Sequence, residues 1–216
     1  MNAAYIVLVD NHDSFVYNLV DALRTGGHRC TVFRNTVPVA QIAAAEPDLL
    51  VLSPGPGHPR EAGTMMDTLA LALERRIPVL GICLGFQALL EHFGGNVVPC
   101  GPVHGTTDVM RLTPAAAASE LFRGLTIDAE PDQPEDPGRA VPVARYHSLG
   151  CTTVPASMEA LGWSDSRIGE VVMAARCTDH PAIGLQFHPE SVLSPSGPIL
   201  LDRLIDHLLT HRKAAA

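Results

Sequence analysis

The chain has 216 residues, of which 46% are hydrophobic and 18% are charged, a composition typical of a globular protein with a substantial core. Its net charge of −8 argues against a nucleic-acid backbone as the main partner, because such a partner requires clustered Lys and Arg. No segment is apolar over the length needed to cross a membrane, and no secretory signal is visible, so we expect a cytoplasmic protein.

The first half of the chain alternates apolar runs with helical patterns. Residues 5–9 form a continuous apolar run, which is typical of a strand buried on both faces. Further strands are predicted at 29–33, 48–52 and 77–80, and helices at about 15–25, 38–45, 61–75 and 86–93. This order predicts an α/β fold with an open, mostly parallel, doubly wound sheet and helices on both faces.

The second half adds strands that we expect to form a smaller, partly antiparallel region. Their predicted positions are 96–99, 108–112, 143–146, 171–176 and 183–187, followed by an amphipathic helix at 199–209. The segment from 128 to 141 is acidic and rich in proline, which predicts a mobile loop outside the core. We expect one domain over residues 1–216, with a frayed tail at 212–216.

The five cysteines are odd in number, scattered and free of Cys-x-x-Cys spacing. They support neither a disulfide scaffold nor a zinc ribbon, and we expect reduced thiols of which at most one is catalytic. His207 and His211 lie four residues apart, but the pattern offers no third ligand for zinc. The sequence therefore predicts no metal site and no cofactor in this chain.

One of these cysteines stands in the run Gly81-Ile82-Cys83-Leu84-Gly85, between a predicted strand and a predicted helix. This is the thiol version of a nucleophile elbow, in which flanking glycines allow neighbouring backbones to approach closely. The first helical amides can then stabilise a thiolate and an oxyanion. A cysteine after an apolar strand can also be an ordinary core residue. A catalytic role therefore depends on whether the chain also supplies a base and a group that orients it.

A cysteine nucleophile needs a base, and the base needs a third group that orients it. His188 follows the predicted strand 183–187, and Pro189 forces a turn after which Glu190 can fold back toward the imidazole. The alternative is a surface His and Glu on an ordinary loop. The backbone N–H groups of Gly57 and Leu84 are candidate donors to an oxyanion.

Five motifs together resemble class I, triad-type glutamine amidotransferases, and the resemblance covers nearly the whole chain. They are GICLGFQ from residue 81, SPGPG from 53, FHPES from 187, VDNHDSFVYNL from 9 and RYHSL from 145. The last two narrow the resemblance to the branch that contains the glutaminase subunits of anthranilate synthase and aminodeoxychorismate synthase.

The resemblance implies a role for each matched residue. Cys83 is the expected nucleophile, His188 the general base and acid, and Glu190 its orienting group. The residues expected to hold L-glutamine share a place in these motifs: Gly55, Pro56, Gly57, Gln87, Ser148 and Leu149. The implied partner is the large subunit of a chorismate-using synthase, which receives ammonia in a heteromer and itself uses Mg²⁺.

The sequence leaves the destination of the ammonia open. Anthranilate for tryptophan biosynthesis is the leading expectation, with aminodeoxychorismate for folate biosynthesis or a secondary-metabolite synthase as alternatives. A cysteine hydrolase of the α/β-hydrolase type is disfavoured, because its acid precedes its histidine, whereas Glu190 follows His188. A degenerate regulatory domain is disfavoured by the intact motifs. Thr106 stands where the family usually has lysine, which raises the expectation of a different partner contact. The acidic segment 128–141 is interpreted first as a solvated loop without consequence, with an altered partner interface as the alternative.

Overall fold

The computed structural model describes residues 3–103, 105–130, 132–133 and 135–214, with the backbone alone for 211–214. The strands, in chain order, are β1 Tyr5–Asp10, β2 Arg29–Arg34, β3 Leu49–Leu52, β4 Val79–Ile82, β5 Val98–Pro99, β6 Thr106–Leu112, β7 Ala140–Arg145, β8 Leu149–Gly150, β9 Met158–Ser166, β10 Gly169–Cys177 and β11 Ala182–Leu185. The helices are α1 Val16–Thr25, α2 Val39–Ala44, α3 Met65–Glu74, α4 Leu84–His92, α5 Pro114–Ala117 and α6 Gly197–Ala214.

Nine strands form one mixed sheet in the order β2-β1-β3-β4-β11-β10-β9-β6-β7. The pairs from β2 to β11 are parallel, and the pairs from β11 to β7 are antiparallel. Strands β5 and β8 form a separate antiparallel pair. The expected fold class is confirmed, and the antiparallel strands extend the parallel sheet along one edge.

Both faces of the sheet are covered by hydrophobic core, as the continuous apolar run of β1 predicts. Ile6 and Leu8 pack into a cluster with residues of α1 and α6, while Val7 and Val9 pack into a cluster with residues of α2, α3 and α4. Successive side chains of a strand point to opposite faces, so an apolar residue at every position serves both clusters.

Several predicted boundaries differ from the structure. The helix expected at 61–75 is a 3-10 turn at Pro59–Glu61 followed by α3, and the Thr64 amide between them donates to the Asn35 carbonyl 2.7 Å away. Strand β9 was not predicted, because shifts in its register with β10 interrupt the alternation of buried and exposed residues. Strand β11 ends at Leu185, earlier than expected.

The acidic segment is only partly a loop. Its last residues, Ala140 and Val141, belong to β7, and Val141 is buried, so the expectation that 128–141 lies wholly outside the core is wrong there. The Asp128 carboxylate accepts hydrogen bonds from the Arg139 and Ala140 amides, each 2.8 Å away, which closes the loop at its base. Pro131, Pro134 and His104 lie outside the described residues.

Helix α6 continues to Ala214, so residues 212–214, which were expected to be frayed, are helical, and residues 215–216 lie outside the described residues. Thr106 lies on β6, exposed and paired with Arg145 of β7. No helix in the described part of the chain is long and apolar enough to cross a membrane.

Candidate active site

Cys83 occupies a sharp turn between β4 and α4. Its backbone has φ 51° and ψ −101°, a conformation that is strained for a residue with a Cβ and that marks functional sites. A Cβ on Gly81 would lie 2.6 Å from the Gly85 carbonyl oxygen, and one on Gly85 would overlap the Leu52 carbonyl. Gly81 therefore lets β4 approach the first turn of α4, and Gly85 lets that turn pack directly against β3, so the flanking glycines allow the close backbone approach that the sequence pattern predicts.

The expected oxyanion donors lie on either side of this elbow. Leu84 is the first residue of α4, so its N–H has no acceptor within the helix. The loop from Gly55 to Gly57 follows β3, which neighbours β4 in the sheet. A Cβ on Gly55 would lie 2.6 Å from the Asn11 carbonyl oxygen and 2.9 Å from Leu84 Cδ2. Pro56 and Gly57 are exposed, so the tip of this loop is open to a substrate.

The loop after β1 holds the start of the Gly55–Gly57 loop in place. The Asn11 amide donates to Ser53 Oγ, and the Asn11 side-chain Nδ2 donates to the Ser53 carbonyl, both over 2.9 Å. Asn11 is 2% exposed, so these hydrogen bonds are protected from water. Asn11 therefore fixes the residue from which the Gly55–Gly57 loop departs.

The structure places the predicted base, His188, beside its predicted orienting group, Glu190. His188 Nδ1 lies 2.7 Å from Glu190 Oε1, and both side chains are almost fully buried. His188 lies three residues beyond β11, where its N–H donates to the Ala144 carbonyl over 3.0 Å. The turn at Pro189 thus returns the Glu190 carboxylate to the imidazole.

The charge balance of the site favours a protonated imidazole. Burial lowers the pKa of His188, but hydrogen bonds to Cys83 and Glu190, together with their negative charges, raise it to about 10. His188 then stands as an imidazolium between the cysteine sulfur and the carboxylate at neutral pH. A buried imidazolium beside the nucleophile supplies a proton donor for the leaving nitrogen.

Two aromatic rings cover the His188 imidazole. The ring centroid of Tyr146 is 4.9 Å from that of His188, and the centroid of Phe15 is 5.6 Å from it. Phe15 and Tyr146 also contact each other, with centroids 5.1 Å apart. These rings come from the loops after β1 and β7 and shield the imidazole from water, which strengthens its electrostatic interactions.

The residues expected to hold glutamine lie next to the elbow. Gln87, one turn into α4, donates from Nε2 to the Leu149 carbonyl over 3.0 Å and to Gln186 Oε1 over 3.2 Å. Both protons of this amide are therefore used within the protein, which leaves Oε1 as the part of Gln87 available to a substrate. Ser148 is exposed and Leu149 is half-buried beside it.

Arg145 and His147 belong to a predicted motif, but their positions were not foreseen. Arg145 Nε donates to His147 Nε2 over 3.1 Å, and His147 Nδ1 lies 2.8 Å from the Leu149 carbonyl. Because guanidinium only donates and a carbonyl only accepts, His147 must be neutral with its proton on Nδ1. The Leu149 carbonyl is thus held by both His147 and Gln87.

The buried position of His147 makes the stability of the protein sensitive to acid. Burial and the neighbouring Arg145 lower the pKa of His147 to about 4, whereas an unfolded histidine titrates near pH ~6.5. Between these values the unfolded chain binds the extra proton. We therefore expect His147→Gln to lower the free energy of unfolding at pH 7 and to lower it less at pH 5. Below pH ~6.5 the difference in unfolding free energy between wild type and variant should narrow by up to about 1.4 kcal/mol per pH unit.

Urea unfolding of both proteins at several pH values measures this difference. His12→Asn, which changes an exposed histidine, is the matched control and should keep the wild-type pH dependence. A gap between wild type and His147→Gln that stays constant from pH 7 to pH 5 would contradict a neutral, buried His147.

Gln186 was also missed as a site residue. It is fully buried and its Nε2 lies 3.7 Å from Cys83 Sγ, within hydrogen-bonding range of sulfur. The signal was an amide inside an otherwise apolar run, since a buried polar side chain is costly unless it is hydrogen-bonded. Among the described residues, no group of three or more His, Cys, Asp or Glu side chains could hold a metal ion.

Comparison with known proteins identifies the family of the chain. A model of the family glutamine amidotransferase class-I matches residues 7–208. Anthranilate synthase component 2 of Corynebacterium glutamicum is 62% identical over 207 residues, 96% of this chain and 99% of that protein. Its counterpart of the same name in Halobacterium salinarum is 40% identical over 215 residues, 95% of this chain and 99% of that protein.

Solved structures support the fold independently of sequence. A glutamine amidotransferase from Thermotoga maritima superposes with a TM-score of 0.71 at 16% identity, over 97% of this chain and 99% of that one. At this identity the likeness concerns the fold alone. The family model spans nearly all of the sequence, and with the two relatives it shows that the chain belongs to the class-I glutamine amidotransferases.

Proposed function

We propose that this chain is the glutaminase subunit of anthranilate synthase in tryptophan biosynthesis, which hydrolyses L-glutamine and passes the ammonia to a chorismate-using large subunit. The observation that carries the proposal is the buried pair of His188 and Glu190, whose Nδ1 and Oε1 atoms lie 2.7 Å apart, next to a cysteine on a strained elbow. The pathway rests on the 62% identity to a protein named anthranilate synthase component 2.

The reaction begins with attack of the Cys83 thiolate on the side-chain carboxamide of glutamine. The new S–C bond moves negative charge to the carbonyl oxygen, where the N–H groups of Gly57 and Leu84 stabilise it. When the C–N bond breaks, the His188 imidazolium gives its proton to the departing nitrogen, and ammonia leaves. A γ-glutamyl thioester remains on Cys83.

Hydrolysis of the thioester restores the site. Neutral His188 accepts a proton from water as the water oxygen attacks the carbonyl carbon, and the thiolate departs as glutamate forms. Glu190 keeps the imidazole oriented in both steps. These steps use no cofactor in this chain, and a reducing compartment such as the cytoplasm keeps the catalytic thiol free.

The experiment that tests the pathway is co-expression with candidate large subunits. We expect a stable complex with an anthranilate synthase large subunit and formation of anthranilate from chorismate and glutamine. Formation of aminodeoxychorismate with its own synthase subunit, and none of anthranilate, would overturn the assignment. A chelator should stop amination of chorismate, which depends on the partner's Mg²⁺, and leave hydrolysis of glutamine by the complex intact.

A further inference from the structure

We propose that Gln186 is a positioning residue that donates an N–H hydrogen bond to the Cys83 sulfur and links that sulfur, through Gln87, to the Leu149 carbonyl. The inference deepens the proposed glutaminase function, because Leu149 lies in the segment expected to hold glutamine. Three contacts carry it, with lengths of 3.7 Å from Gln186 Nε2 to Cys83 Sγ, 3.2 Å from Gln87 Nε2 to Gln186 Oε1, and 3.0 Å from Gln87 Nε2 to the Leu149 oxygen.

The direction of these hydrogen bonds is set by the Leu149 carbonyl at the end of the chain of contacts. The nitrogen and oxygen of an amide side chain look alike, so orientation is decided by the network. A backbone carbonyl only accepts, so Gln87 must turn its NH₂ group toward Leu149. The second proton of that group then points to Gln186, which must present its oxygen. The Gln186 NH₂ group is thereby left facing Cys83.

The Leu149 carbonyl is itself a well-defined anchor. It accepts a second hydrogen bond from His147 Nδ1, 2.8 Å away, and Arg145 fixes the tautomer of that histidine. Gln87 is 3% exposed and Gln186 0%, so water does not compete for these groups. The orientation of the Gln186 amide is therefore set by buried groups on α4 and on the segment that ends in β8.

The consequence for Cys83 is a donor that favours the thiolate. A hydrogen bond from a neutral N–H to a charged acceptor is stronger than one between neutral partners, and a thiol gains less from it than a thiolate. The ionisable groups that act together with the sulfur are His188, whose pKa is raised by its interaction with Cys83, and Glu190, which lies 2.7 Å from the imidazole. Gln186 adds an uncharged donor, which also holds the sulfur in position for attack.

The test is the pH dependence of Cys83 alkylation by iodoacetamide in wild type and Gln186→Met. Methionine has nearly the same length and volume but no N–H. We expect the pH of half-maximal alkylation to move upward by about one unit, the equivalent of one charge-assisted hydrogen bond. With the large subunit present, kcat for glutamine should fall about tenfold, whereas KM changes less than about threefold, because Gln87 keeps its contact with Leu149.

Thr68→Val is the matched control, because Thr68 is a buried polar residue on α3 and its variant should keep the wild-type alkylation profile. An alkylation profile of Gln186→Met that superimposes on wild type would show that Gln186 only fills space. Alkylation requires neither glutamine nor a partner, so its outcome stands even if the chain fails to hydrolyse glutamine.

A second measurement uses the wild-type protein and remains decisive if Gln186→Met does not fold. The side-chain amide protons of Gln186, assigned by NMR, should move when Cys83 is alkylated and should titrate at the same pH as the alkylation rate. Amide resonances of Gln186 that are indifferent to both changes would overturn the proposal.

Discussion

Replacing Cys83 by serine is expected to lower partner-stimulated hydrolysis of glutamine by at least about 10³-fold. The serine hydroxyl is a far weaker acid than a thiol, so at neutral pH it stays protonated beside the imidazolium and provides no nucleophilic anion. The strained backbone at residue 83 and the glycines beside it remain, so the variant should fold as the wild type does. Release of glutamate, measured with the large subunit present, checks the expectation.

The control for this substitution is Cys30→Ser, which makes the same chemical change on β2, outside the site. It should hydrolyse glutamine at the wild-type rate. Ammonia supplied at high concentration should still support amination of chorismate in the complex that contains Cys83→Ser, because the synthase subunit is intact. If Cys83→Ser hydrolysed glutamine at the wild-type rate, the mechanism through a thioester on Cys83 would be contradicted.

His188→Asn is expected to reduce hydrolysis by about 10³-fold, because proton transfer to the leaving nitrogen and from the attacking water would lose their carrier. Glu190→Gln keeps the imidazole and an oxygen that can accept its hydrogen bond, but it removes a negative charge that helps to raise the pKa of His188 to about 10. The imidazolium is then lost at lower pH. The alkaline limit of hydrolysis should therefore move to lower pH in Glu190→Gln.

Profiles of kcat against pH for both variants and the wild type provide the measurement. Glu74→Gln, at the exposed end of α3, makes the same change without touching the site and should leave the profile unchanged. If the alkaline limit of Glu190→Gln coincides with that of the wild type, the carboxylate does not support the protonated imidazole.

Much of the fold was predictable because its signals are local. The continuous apolar run of β1 indicates a strand covered on both faces, and the two clusters around Ile6 and Val7 bear this out. Strand β9 and the true start of α3 were not predictable in the same way. Their bounds depend on a register shift against β10 and on a contact of Thr64 with Asn35, which lie far away in the sequence.

The sequence was enough to locate the elbow and the turn at His188, because glycine permits close backbone approach and proline restricts φ, and both effects are local. It also determined the family, since five motifs occur together along the chain. The sequence did not reveal that Gln186 faces the Cys83 sulfur or that Gln87 uses both amide protons inside the protein; these contacts appear only in the folded chain. The direction of a hydrogen bond depends on which donors and acceptors come into contact between different strands and helices, and a local sequence pattern does not predict those contacts.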